Sequence, residues 1–208
     1  FARELTSWHL ACVKKSRRAP RPAAPNPAAI LEPLLAEPVS RWVLPNGLVG
    51  LAKEDRPAGL VSAQVWIRSG STHEGQWLGT GLSHYLEHMV FKGTARRGPL
   101  QISAEVQAAG GSINAYTTFD RTVYYIDGPA ESAALFLDVL ADMVFAPLLD
   151  AAEVAREREV ILREIDMGKD DPQHRVMEGL FALAFRQHPY RYPVIGMRPL
   201  FEGLARDD

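Results

Sequence analysis

One short stretch, Leu82-Ser83-His84-Tyr85-Leu86-Glu87-His88-Met89-Val90, limits the possible folds more than any other part of the chain. Its apolar residues Leu82, Tyr85, Leu86, Met89 and Val90 recur at i, i+3, i+4, i+7 and i+8, the stripe of an amphipathic helix, and Gly93 is the expected stop. At about 100° of rotation per residue, His88 lies about 40° to one side of His84 and Glu87 about 60° to the other. The apolar stripe centres about 160° away. His84, Glu87 and His88 therefore share one face, and the residues expected to face the core occupy the other.

That trio suits zinc. Two imidazoles one turn apart can hold one ion through Zn–N bonds of about 2.0–2.1 Å, and catalytic sites add a third protein ligand while keeping one position open. Glu87 is adjacent to the second imidazole but displaced around the helix, where it can approach a water without replacing it, as in the inverted zincins. The single cysteine, Cys12, excludes a cysteine cage, so further ligands must be His, Asp or Glu. A helix expected from Asp150, with Glu153 completing an Asx-x-x-Glu start, to Met167 before Gly168 offers two candidates, Glu157 and Glu164. They lie about two turns apart and share a face. Ile161 and Ile165 border that face, and carboxylates buried there are costly unless paired or bound to a metal.

The remaining chain mixes short strands with helices. Arg41–Leu44 and Leu48–Lys53 flank Pro45-Asn46-Gly47, a strong hairpin signal. Leu60–Arg68 predicts a strand, and a Gly-rich loop runs from Gly75 to Gly81. Gln101–Ala109 predicts a helix stopped by Gly110-Gly111, and Ser112–Thr117 and Thr122–Ile126 predict two strands joined near Phe119-Asp120. Pro129–Phe145 predicts a strongly apolar, buried helix, and Asp171-Pro172 opens a last one, because proline suits the first helical position. Residues 188–199, with Pro189, Pro193 and Pro199, read as a loop. Direct strand–strand connections among helices define an α+β class, with an antiparallel or mixed sheet packed by helices.

Residues 1–39 read as a tail and a Pro/Ala-rich linker, and 40–208 as the domain, because the proline density of Ala19–Pro27 suits neither helix nor central strand. Leu10-Ala11-Cys12 faintly suggests a lipoprotein cleavage site, but Arg3, Glu4 and His9 interrupt the apolar core such a signal needs, so an ordinary tail is expected. A net charge of −2 gives no basic field for nucleic acid, and no apolar run is long enough to span a bilayer. A cell-envelope (periplasmic) and a cytoplasmic location both fit. His73, His174 and His188 read as structural or surface positions, and Arg96 and Arg97 as solvated charges.

The segment Gly81–Thr94 resembles the motif helix of the pitrilysin/insulinase family of HxxEH zinc metallopeptidases, which includes the mitochondrial processing peptidases and related bacterial proteins. Leu44-Pro45-Asn46-Gly47-Leu48 resembles the family's opening hairpin, Gly110–Thr117 its substrate-binding edge strand, and Glu157–Ile165 its ligand helix. His188-Pro189-Tyr190 and Pro193–Gly196 resemble a later loop, so the resemblance runs over residues 41–203.

The resemblance implies that His84, His88 and Glu164 bind one zinc ion, that Glu87 is the general base, and that Glu157 is a further carboxylate orienting the site. Asn114, Ala115, Tyr116 and Thr117 would pair through their backbone with an extended peptide. The implied activity is zinc-dependent endopeptidase cleavage of unfolded or extended peptides through a zinc-activated water. The alternative is a non-catalytic partner or scaffold subunit of the same fold. The family's catalytic unit is a clamshell of two halves. On that pattern the chain would be a fragment, the first domain of one half without its closing strands, and weakly active alone. The second half would lie on the same chain or on a homologous partner subunit.

Overall fold

The computed structural model describes residues 39–55 and 58–207. The expected tail, the Pro/Ala-rich linker and Cys12 lie outside the described residues. The described residues fall into two units, 39–55 and 58–207.

The first unit holds the expected hairpin, β1 (Ser40–Val43) and β2 (Val49–Ala52), paired antiparallel with Val43 opposite Val49. Its turn is closed by the Asn46 side chain, whose Oδ1 accepts from the Leu48 N–H at 3.1 Å. Gly47 takes a φ of +86°, which a side chain would strain.

The second unit is built on three antiparallel strands, β3 (Leu60–Ile67), β4 (Ser112–Thr117) and β5 (Thr122–Pro129). Their order is β3-β5-β4, so β5 is central and β4 is an edge. The Phe119 ring in the β4–β5 turn stacks on Tyr190 with ring centroids 4.4 Å apart and on Phe181 at 5.4 Å. Six helices complete the unit: α1 (Leu82–Val90), α2 (Pro99–Ala108), α3 (Ala133–Phe145), α4 (Ala151–Asp170), α5 (Pro172–Ala184) and α6 (Arg198–Phe201). This is the expected α+β class. Among the described residues no helix is long and apolar enough to cross a membrane.

Three expectations need correction. Pro129 ends β5 rather than starting a helix, because β3 extends far enough to pair Leu60 with it, and α3 begins only after a turn at Ala130–Ser132. That helix is also buried on one side only, with Leu137 and Phe145 exposed. Nor does Gly168 end α4. A helical glycine costs only about 1 kcal/mol, and the helix continues until Pro172 forces Asp171 into extended backbone (φ −89°, ψ 110°). Asp171 then caps α5 by accepting from the N–H groups of Gln173 and His174. The start of α4 follows the sequence, with the Asp150 carboxylate accepting from Ala152 and Glu153.

Two apolar clusters hold α1 in place. One packs Ala63, Tyr124 and Ile126 of the sheet against Ile102 and Val106 of α2, four residues of α3 including Phe136, and Val90 at the end of α1. The other packs Tyr85 and Met89 of α1 against Ile161, Leu162 and Ile165 of α4 and Phe201 of α6. Burial of a large apolar side chain is worth about 1.5–3 kcal/mol, so α1 is fixed from two directions. The expected stripe holds except at Leu86, which is 46% exposed. The physical reason is that the polar face is not left to water: α1 turns it toward β4 and α4, and Leu86 takes the open side instead.

Candidate metal centre

The metal-helix motif enters through a clasp of backbone. Gly81 precedes α1 with φ +78°, and a Cβ there would stand 2.1 Å from the Ile195 carbonyl oxygen. Gly196 has φ +93°, and its Cβ would stand 2.3 Å from the Thr80 oxygen, while the Met197 N–H donates to Gly79 O at 2.9 Å. Only glycine permits this approach. The first turn of α1 is capped from outside the helix by buried Glu74, whose Oε1 accepts from the Ser83 N–H at 2.9 Å. Burial is the largest influence on this carboxyl and pushes its pKa up against the hydrogen bonds from Ser83 and the loop.

On the other face of α1 the two helices converge. His84 Nε2 lies 4.0 Å from Glu164 Oε1, and His88 Nε2 lies 3.8 Å from Glu164 Oε2. The two rings sit with centroids 4.6 Å apart. One donor atom from each of His84, His88 and Glu164 falls within 4.8 Å of the others. The two gaps to Glu164 are too long for hydrogen bonds and stand a few tenths of an ångström beyond the about 3.3–3.6 Å between ligand atoms that tetrahedral bonds of about 2.0–2.2 Å produce. His84 is held neutral, its pKa pushed down to about 4, first by burial and then by the charge of His88. A neutral imidazole is the form that ligates a metal. Glu164 is 47% exposed, so the cluster opens to solvent on its side. The donor set and its spacing fit a zinc ion.

Glu157, one face with Glu164 on α4, turns inward. Its Oε1 lies 2.8 Å from His88 Nδ1 and its Oε2 lies 2.6 Å from Lys92 Nζ. Burial most strongly opposes its charge, but the bonds from Lys92 and His88 outweigh burial and leave its pKa below the usual range. Glu87 faces the sheet, and its Oε2 accepts from the Thr117 hydroxyl of β4 at 2.6 Å. Its pKa is raised, chiefly by burial. Tyr85 donates its hydroxyl to the Val154 carbonyl and so ties α1 to the start of α4.

All of the site residues read from the sequence thus lie on α1, α4 and β4. His84, His88 and Glu164 converge, Glu157 backs His88, and Thr117 reaches Glu87 with its side chain. Asn114 and Tyr116 are exposed on the edge strand, and the Asn114 Oδ1 accepts from the Ala115 N–H at 2.8 Å. His174 pairs with Glu178 and His188 accepts from the Tyr190 N–H, both away from the cluster, and the His73 ring accepts from the Gly70 N–H.

Two features escaped the sequence reading. Lys92 carried a signal, since it stands one turn beyond His88. Arg97 is not a solvated charge: it is 6% exposed and bonds Glu105, Asp138 and Asp142 at 2.8, 2.5 and 2.8 Å. Arg96, beside it, stays exposed while pairing with Asp138. Three acidic residues on α2 and α3 converge there, and a charge with such partners can be buried.

The structure defines a class first: an α+β domain that places a His, His, Glu donor set between two facing helices. Residues 50–198 match the family described as Insulinase (Peptidase family M16), and the chain belongs to that family. It is 35% identical over 158 residues to a Bacillus subtilis (strain 168) protein named "Uncharacterized zinc protease YmxG", covering 76% of this chain and 38% of that one. It is 36% identical over 166 residues to the "Mitochondrial-processing peptidase subunit beta" of Blastocladiella emersonii, covering 79% of this chain and 35% of that one. The crystal structure of a protease from Helicobacter pylori superposes with a TM-score of 0.76 at 26% identity, covering 81% of this chain and 41% of that one. The chain thus spans about two fifths of the length of the relatives it matches.

Proposed function

We propose that this chain carries the catalytic metal site of a zinc-dependent endopeptidase that cleaves unfolded or extended peptides. The observation that carries the reading is the convergence of His84, His88 and Glu164 donor atoms within 4.8 Å, with Glu87 on the same helix, between the two histidines in sequence. These three residues would hold one zinc ion. When bound, zinc supplies Lewis acidity toward the scissile carbonyl and makes water a better nucleophile near neutral pH.

The chain's own residues do the rest. Glu87 takes the proton of the attacking water and returns it to the leaving amine. The Thr117 hydroxyl on Oε2 fixes the rotation of that carboxylate. Glu157, accepting from His88 Nδ1, directs the Nε2 lone pair toward Glu164 and the site. The outer edge of β4, at Asn114–Thr117, would offer backbone groups to a peptide in strand form, and Thr117 at its end bonds Glu87. Backbone pairing depends little on side-chain identity and selects for extended chains.

A second half of the enclosure would come from the same chain or from a homologous partner subunit. The relative named as a beta subunit supports that partner arrangement. A non-catalytic scaffold of the same fold would have no use for a buried carboxylate bonded by Thr117 beside the donor set.

The test is made on the full-length protein with an unstructured peptide and a zinc assay. Glu87→Gln is expected to keep zinc and lose about 10²–10⁴-fold in kcat. Glu164→Gln is expected to lose zinc. A Glu87→Gln variant that cleaves at the wild-type rate would end this reading.

A further inference from the structure

Lys92 stands in the turn that closes α1, where its N–H donates to Met89 O at 3.0 Å. From there its ammonium reaches back to the Glu157 Oε2 at 2.6 Å. The other oxygen of the same carboxylate, Oε1, lies 2.8 Å from His88 Nδ1. The Glu157 side chain is only 8% exposed, so both oxygens depend on partners inside the protein. One carboxylate is therefore divided between an imidazole on α1 and an ammonium in the turn that closes it, four residues apart.

We propose that Lys92 is a positioning residue for the metal site, acting through Glu157 on His88; the proposal rests on the reading of His84, His88 and Glu164 as zinc ligands. An imidazole has two nitrogens, and the one that bonds a carboxylate fixes which one remains free. Glu157 accepts from Nδ1 and leaves Nε2 on the side of Glu164, 3.8 Å from its Oε2. Glu157 can do this only while its own plane is fixed. His88 holds one oxygen, which leaves rotation about that contact open, and Lys92 closes it by holding the other. Without the ammonium, Oε2 is a buried acceptor with no partner, and the carboxylate turns to find one.

A tie between α1 and α4 would not by itself require this arrangement. Tyr85 and Met89 already pack on Ile161, Leu162 and Ile165, and the Tyr85 hydroxyl already bonds Val154. What Lys92 adds is control of the carboxylate that orients a ligand.

The experiment measures the zinc dissociation constant of the full-length protein by chelator competition at one pH. The variants are Lys92→Gln, Lys92→Arg, Glu157→Gln, the double variant Lys92→Gln/Glu157→Gln, and His84→Ala, each with a urea midpoint of the metal-free form. Lys92→Gln is expected to weaken zinc about tenfold, and Lys92→Arg to restore most of it. In the Glu157→Gln background the same Lys92→Gln change is expected to add less than about twofold, because its target is gone. A Lys92→Gln protein that loses urea stability while its zinc constant stays within about twofold of wild type makes Lys92 a structural residue only and overturns the proposal. So does a full, independent loss in the Glu157→Gln background. If Lys92→Gln does not fold, Lys92→Arg carries the test, with an expected weakening of about threefold and the same dependence on Glu157. If His84→Ala leaves zinc binding unchanged, the zinc reading falls and this proposal with it; if His84→Ala abolishes binding and Lys92→Gln does not weaken it, this proposal alone falls.

Discussion

Replacing Arg97 by Met tests whether the buried ion cluster beside α1 holds the domain together. The guanidinium donates from Nε to Glu105, from Nη2 to Asp138 and from Nη1 to Asp142. Asp138 is exposed and Glu105 partly so, and water screens and replaces much of what they lose. Asp142 differs, because its side chain is only 5% exposed. Removing one partner of a buried pair costs about 3–5 kcal/mol, mostly because the other charge is left behind. Thr94 still donates to Asp142 Oδ2 at 2.7 Å, and Arg96 Nη1 stands 3.9 Å from Oδ1, so the lower end is expected, about 3 kcal/mol. The assay is urea unfolding of the full-length protein, followed by the midpoint at unchanged slope. The double variant Arg97→Met/Asp142→Asn removes the stranded charge and should recover at least about 1 kcal/mol of the loss. A loss below about 1 kcal/mol for Arg97→Met, or a double variant as damaged as the single, would refute the reasoning.

The same cluster sets an acid limit. Hydrogen bonds from Arg96 and Arg97 hold the Asp138 carboxyl down to about 2, and Asp142 is also lowered, its bonds to Thr94 and Arg97 outweighing the opposing effect of burial. A lowered folded-state pKa stabilises fully above the unfolded value of about 3.9 and is lost as pH falls through the folded value. Stability should therefore drop between about pH 4 and pH 2, and urea midpoints across that range should show a shallower drop in Arg97→Met. Thr117→Val removes the donor to Glu87 and should lower kcat about tenfold with bound zinc unchanged, measured on one preparation; an unchanged kcat means the contact does not position the base. Gly81→Ala places a Cβ against the Ile195 carbonyl and should cost more than about 1–2 kcal/mol, read as a lowered urea midpoint, together with weaker zinc binding.

Local signals carried far into the structure and then stopped at contacts between distant segments. Asn46-Gly47 specifies its turn from two residues, and Asp150 and Asp171 specify two helix starts by side-chain caps. The motif helix was legible from its period, but the exposure of Leu86 and the burial of Glu87 depend on which elements crowd around it. Glu164 could be paired with His84 and His88 only through the family pattern, since spacing on α4 alone favours Glu157 equally. The partnership of Lys92 with Glu157 and of Arg97 with three carboxylates arises where separate helices meet, which periodicity does not report. Pro129 and Gly168 misled for a related reason: one is a local helix-start signal and the other a local stop, and a neighbour overrides each, the pairing of Leu60 with Pro129 in one case and a long, well-packed helix in the other.

The clasp between Gly79–Gly81 and Ile195–Met197 gives the site a place in time. His84 and His88 are synthesised more than a hundred residues before the backbone of Ile195–Met197 that seats the first turn of their helix. Contacts this distant along the chain form slowly, because the intervening loop must close before they are rewarded. On the growing chain the histidines therefore exist before their helix can be seated, and His84, His88 and Glu164 take their final places only once Ile195–Met197 has been made and has docked.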